Sequence, residues 1–176
     1  MDVHHYFIGK DQQVSELVKK DAIISECEKY RYELSRIWDE SKDLCAFIML
    51  NPSTADASED DPTIRRDMGF ARSWGFGGIV VFNLFAFRAT SPGDLKKAGR
   101  PFGQENYNYL LKAIKYPQVI AAWGTQAVAV DPNLVEDWTN RLKKAGNCFH
   151  LGLTRGGHPK HPLYLRSDTE RTQWTI

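Results

Sequence analysis

The sequence predicts a three-layer α/β sandwich around a central, mostly parallel sheet. Three observations carry that prediction. Apolar runs at Leu44–Leu50, Ile79–Phe82, Val119–Trp123 and Cys148–Leu153 alternate with helical patterns, and this alternation marks a parallel sheet with crossover helices. The run Leu44–Leu50 is apolar throughout, as a strand buried on both faces must be. Each run also stops abruptly, at Asn51-Pro52, Asn83, Gly124-Thr125 and Thr154.

The first elements are the least marked. Ser15–Lys29 reads as a short helix or a solvated arm, so residues 1–29 are set apart from a single domain over 30–176. In Tyr30–Trp38, Tyr30, Tyr32, Leu34, Arg36 and Trp38 alternate with Arg31, Glu33, Ser35 and Ile37. Period two with aromatics predicts a half-buried strand. The polar turn Asp39–Asp43 then suggests an antiparallel pairing with the strand after it.

Beyond Leu50, Pro52 can donate nothing to a ladder and holds Asn51 in an extended or turn conformation. Asp61-Pro62 is a helix start, Asp as N-cap and Pro at the first helical position. Ile64, Met68, Ala71 and Trp74 continue it at helical spacing to Gly75. The stretch from Leu84 to Leu95 reads as loop, with Ser91 or Asp94 placed to cap the next element. Helical patterns over Gln104–Lys115 and Val135–Ala145 separate the later strands, and Leu163–Trp174 reads as a short closing helix.

Composition narrows the class. The chain has 176 residues, 42% of them hydrophobic, enough for one sizeable core. No apolar run approaches the ~20 residues of a membrane span, and the first residues lack a basic-then-apolar leader, so a cytoplasmic location is expected. Cys27, Cys45 and Cys148 are widely spaced without zinc-ligand spacing and read as free thiols. A net charge of +1 makes no global case for nucleic acid or membrane; such a case needs local clustering.

In a parallel sheet the loops after Leu50, Phe82, Trp123 and Leu153 leave one edge, where open α/β sheets bind ligands. Asn51 and Asn83 bring carboxamides to that edge, and His158 and His161 bring imidazoles. These groups suit one planar, polar ligand. Asn51-Pro52 is also an ordinary turn initiator, and Asn83 an ordinary strand end tied to nearby backbone.

Taken together, Asn51-Pro52, the stretch Asn83 to Arg88 and Thr90, the apolar strand ending at Gly124, and His161-Pro162-Leu163-Tyr164-Leu165-Arg166 resemble the uracil-DNA glycosylase superfamily. The likeness is to its mismatch-specific and single-strand-selective branches and covers Leu44–Arg166. Leu50 and Ser53 stand where those branches carry glycine. The strings LNPSTAD and DPTIRR are also similar to an uncharacterised family of bacterial and phage proteins, known only as a domain of unknown function.

The glycosylase resemblance implies a glycosylase-like fold, a nucleobase ligand and a role in DNA repair or modification. It gives catalysis to Asn51, orienting the attacking water, and to His161, stabilising the departing base. Pro52, Ser53, Asn83, Phe85, Arg88 and His158 become substrate-binding candidates, with Asn83 reading the base edge and Phe85 stacking on it. Arg155, Lys160 and Arg166 become phosphate contacts and Tyr164 a wedge, so DNA, single-stranded DNA included, or a nucleoside or nucleotide is the expected partner. Several phosphate contacts would make binding steeply salt dependent.

No cofactor and no metal is expected. Asp56, Glu59, Asp60 and Asp61 crowd together as hard-cation ligands do, yet capping by Asp61 and solvation of the others account for them better. A third alternative keeps the crevice and drops the reaction: a binding module, or a base-modifying enzyme, on the same scaffold.

Overall fold

The computed structural model describes residues 18–53, 58–99 and 101–175. Asp56 and the start of the predicted arm lie outside them. Two antiparallel strands come first, β1 (Lys19–Ile24) and β2 (Arg31–Ile37). β3 (Leu44–Met49) leads through α1 (Pro62–Ser73) to β4 (Gly78–Asn83). Two helices, α2 (Pro92–Lys97) and α3 (Asn106–Ala113), precede β5 (Gln118–Ala121). Another two, α4 (Gln126–Val130) and α5 (Pro132–Ala145), precede β6 (Cys148–His150). A 3₁₀ turn at Pro162–Tyr164 and the short β7 (Thr172–Gln173) close the chain.

In space the seven strands lie in the order β1-β2-β4-β3-β5-β6-β7. Neighbours from β4 to β6 are parallel, and the outer pairs are antiparallel. Alternation along β3 builds both cores. Cys45, Phe47 and Met49 meet Ile64, Phe70 and Ala71 of α1 on one face. Ala46 and Ile48 join Leu110 and Ala113 of α3 and Trp138 and Leu142 of α5 on the other. Helices thus cover both faces, which is why β3 tolerates no polar residue.

The helix starts obey their local signals. Asp61 accepts from the Ile64 amide, Ser91 from that of Asp94 and Asp131 from that of Leu134, each with proline next in sequence. Each such cap is worth ~1 kcal/mol.

Three expectations are corrected. Lys19–Ile24, within the segment read as helix or arm, is an edge strand paired with β2. β2 pairs with β4, Leu34 opposite Val81, rather than with the adjacent β3. The reason lies in Gly77 and Gly78: a Cβ on Gly77 would sit 1.9 Å from the Asp39 carbonyl oxygen, and one on Gly78 2.7 Å from that of Arg36. Only glycine lets the β2–β3 turn close over the start of β4, where the Gly77 carbonyl accepts from Trp38 and Asp39. Finally, Leu163–Trp174 forms a 3₁₀ turn and a strand instead of a helix; β7 pairs with β6, and Trp174 is buried.

From β3 the chain winds to β4 on one side, then crosses to β5 and β6 on the other. The connections after β3 and β5 therefore diverge, and a crevice opens beyond their carboxyl ends. Asn51 and Gly124 stand at its two sides.

Candidate functional site

A cleft of about 620 Å³ occupies that crevice, and its walls include Asn51, Ser53, Asn83, Lys160, His161 and Tyr164. The groups that end β3 and β4 and the His-Pro loop thus share one cavity. The backbone explains the convergence. Amides of Leu84, Phe85 and Ala89 donate to the carbonyls of Met49, Leu50 and Pro52, so the loop after β4 zips alongside the end of β3. The Gly124 amide donates to the Pro159 carbonyl at 2.9 Å, which ties the His-Pro loop to the end of β5. Gly124 has φ +72°, a left-handed turn that favours glycine.

Asn51 is fixed by its nitrogen. Nδ2 donates to the Pro52 carbonyl at 2.9 Å and the Ala89 carbonyl at 2.8 Å. Oδ1 accepts no hydrogen bond among the described residues and remains the acceptor this side chain can offer. Pro52 is buried and contributes its carbonyl to this knot rather than contact with the cleft. Ser53 donates through Oγ to Asp61 at 2.7 Å, while the other oxygen of Asp61 caps α1.

Asn83 differs. It is 1% exposed, and both Oδ1 and Nδ2 are buried without a hydrogen-bond partner among the described residues. Only its backbone is engaged: Asn106 Nδ2 donates to the Asn83 carbonyl at 2.9 Å. An unpaired buried amide costs ~1–3 kcal/mol. The cleft therefore carries one adjacent donor and acceptor, already desolvated.

His161 is half-buried, and its Nδ1 accepts from the Leu163 amide at 3.3 Å. Burial holds the imidazole below its ordinary range, with the Asp61 carboxylate pulling the other way. The ring is thus neutral near pH 7 with its proton on Nε2, a hydrogen-bond donor without charge.

Two further cleft residues were not singled out in the sequence. Trp123, 1% exposed, has an indole N–H buried without an acceptor among the described residues. Its signal was its place at the end of an apolar run, which reads equally as core. Arg31 is 2% exposed and lines the same cleft. Strict alternation set it opposite the buried residues of β2, but the register shifts there, with Ile23 opposite Glu33 and Ile24 opposite Arg31. That bulge buries Arg31 and Tyr32 together.

Other candidates fall elsewhere. Phe85 is core and lines a different cavity, so it does not stack in this cleft. The Arg88 guanidinium donates to the Glu28 carbonyl at 3.2 Å, and its amide to that of Lys29. His158 donates its amide to Thr154 Oγ1 and lies outside the cleft walls. Arg155 is exposed in the turn before it, and Arg166 pairs with Asp168 at 2.9 Å. Of the three expected phosphate contacts only Lys160 borders the cleft.

The acidic loop has its own work. Asp60 binds the buried Arg36 at 2.6 Å and Lys20 at 3.0 Å. Although burial raises its pKa, those bonds hold it below the usual carboxylate range. Among the described residues no group of acidic, histidine or cysteine side chains has the arrangement of a metal site. No helix among them is long and apolar enough to cross a membrane.

Neither a curated protein nor a solved structure matches the chain. A family model does, over residues 31–163, which hold β2 to β6 and every cleft residue named above except Tyr164. The chain belongs to the family described as Protein of unknown function (DUF1643).

Proposed function

We propose that this protein recognises a nucleobase in the cleft and, like the uracil-DNA glycosylases its motifs resemble, hydrolyses the N-glycosidic bond of a damaged or modified base in DNA. The observation that supports this most is Asn83. A desolvated carboxamide with no partner among the described residues fits a flat ligand edge that offers one donor beside one acceptor, as base edges do. The Trp123 indole N–H and His161 Nε2–H add donors, which favours a base rich in oxo groups.

The chemistry derives from the atoms left available. Asn51 Oδ1 accepts from a water and aims its oxygen at the sugar C1′. As the new C–O bond forms, the C1′–N bond breaks and its electron pair passes to the base. His161 Nε2–H bonds the base oxygen on which that negative charge gathers, and the water's spare proton leaves to solvent. Losing one such preorganised donor costs ~100–1000-fold in rate. Lys160 is placed for a flanking phosphate and Tyr164, 89% exposed at the rim, for the gap left by an extruded base.

Asp61 favours a second reading. Its carboxylate lines the same cleft and repels a phosphodiester backbone, so a free nucleobase or nucleoside, bound without cleavage, suits the lip better than DNA. Single-turnover base release in EDTA separates the two. Oligonucleotides carrying uracil, deaminated purines or hypermodified pyrimidines should yield free base if the glycosylase reading is right. Binding without release from any of them assigns a binder.

A further inference from the structure

A second cavity, of about 940 Å³, lies between the β1–β2 turn and the start of α3. We propose that it binds an organic cation, an alkylammonium or guanidinium group on an apolar stem. Aromatic rings and carboxylates make its walls. Tyr30, Tyr32 and Tyr109 form a continuous stack, with ring centroids 6.3 Å and 5.0 Å apart and planes within 7°. Phe102 faces the same space, as do Glu26 and Glu105.

The charge is one-sided. Asp131 adds a third carboxylate, and among the described residues no lysine or arginine lines the cavity. Neither Glu26 nor Glu105 forms an ion pair among the described residues. Aromatic faces attract cations through the negative potential of the ring, weakly in water and more strongly once the cation is desolvated. Carboxylates beside such rings supply the countercharge, and Ile23 and Ile24 on the β1 side offer apolar surface for the stem. A neutral ligand would leave the carboxylates unused, and an anion would be repelled.

The size exceeds a bare ammonium group, so the cation arrives attached to something: a small aliphatic amine, or a lysine or arginine side chain of another protein. The site is independent of the nucleobase reading. Tyr30 and Tyr32 line this cavity, whereas Arg31 between them lines the first.

Cys27 provides the test. It borders the cavity and is exposed, while Cys45 and Cys148 are buried. The rate at which neutral iodoacetamide alkylates Cys27 is measured with butylguanidinium, butyltrimethylammonium, a neutral isostere of the latter, and a blocked Gly-Arg-Gly peptide. The cations should protect the thiol saturably and the neutral isostere should not. Tighter protection by the peptide assigns the cation to a protein partner; tighter protection by the free amines assigns it to a small molecule. The double variant Glu26→Gln, Glu105→Gln touches only exposed side chains, and it should weaken protection about tenfold. No protection by any cation, equal protection by the neutral isostere, or protection unchanged in the double variant would overturn the proposal.

Discussion

Asn51 Nδ2 donates to the Ala89 carbonyl at 2.8 Å, fastening the residue that ends β3 to the loop after β4. The bond spans the crevice wall and fixes which atom of Asn51 is left for a ligand or water. Its bond to the Pro52 carbonyl completes the clamp.

Asn51→Ala should therefore have two separable effects. Loss of the clamp destabilises the fold by ~1–2 kcal/mol, read as a shift in the urea midpoint. Loss of Oδ1 should lower single-turnover base release by at least ~100-fold while Kd for the same oligonucleotide moves little. A rate unchanged in a folded variant would remove Asn51 from the chemistry.

His161 sets a pH dependence. Its folded pKa is lowered by burial, more than Asp61 raises it, and His150 is likewise lowered by burial and then by Lys143. Below ~6.5 the unfolded chain binds protons that the folded chain resists. Stability should fall as pH drops through ~6.5 and level off beneath the folded pKa values. Urea midpoints between pH 5 and 8 should show this slope, and His161→Gln should reduce it.

Asp67 on α1 works in the opposite sense. Both its oxygens are buried without a partner among the described residues, and burial, with the Asp61 charge, raises its pKa well above the usual range. The folded chain keeps a proton that the unfolded chain releases above ~3.9, so this group costs stability as pH rises through that interval. Asp67→Asn keeps the shape and removes the titration. It should be more stable than the parent at pH 8, by ~1–2 kcal/mol, with no such advantage at pH 4.

The helix start at Asp61-Pro62 and the buried run of β3 were legible because their signals are local. Neighbouring residues supply the cap and the proline, and full burial dictates an unbroken apolar run. By contrast, α2 begins at Pro92, inside the stretch read as loop, with Ser91 rather than Asp94 as its cap. The partner of β2 was not legible, since pairing with β4 depends on Gly77 and Gly78, some forty residues further along the chain. β1 was hidden because Lys19, Lys20 and Asp21 face solvent on an edge strand and carry no apolar alternation. Among site residues, Asn51, Asn83 and His161 could be chosen because they end strands or break loops. Arg31 could not, because a bulge reversed the face its position implied. Arg88 was a charge whose partner, the Glu28 carbonyl, lay in the fold, whereas Arg166 has its partner two residues on, at Asp168.

The pairing of Arg166 also bears on salt dependence. With Arg166 held by Asp168 and Arg155 outside the cleft, Lys160 is the expected residue still placed for phosphate. The slope of log K against log salt should then lie at about −0.7, the value for ~1 contact on single-stranded DNA. A slope of −4 or steeper would show a phosphate track beyond this cleft.

Asn83 tests the central claim most directly, because the proposal makes its carboxamide a ligand group and not a structural one. The measurement is the side-chain amide resonance of Asn83 in labelled protein, titrated with a uracil-containing and a hypoxanthine-containing oligonucleotide, alongside Asn83→Leu. The account predicts a saturable shift of that resonance in wild type. It also predicts that Asn83→Leu binds at least tenfold more weakly while unfolding at a higher urea concentration, since an unpaired buried amide worth ~1–3 kcal/mol has been removed. A resonance that does not move on binding, or a leucine variant that loses stability and keeps its affinity, would contradict it.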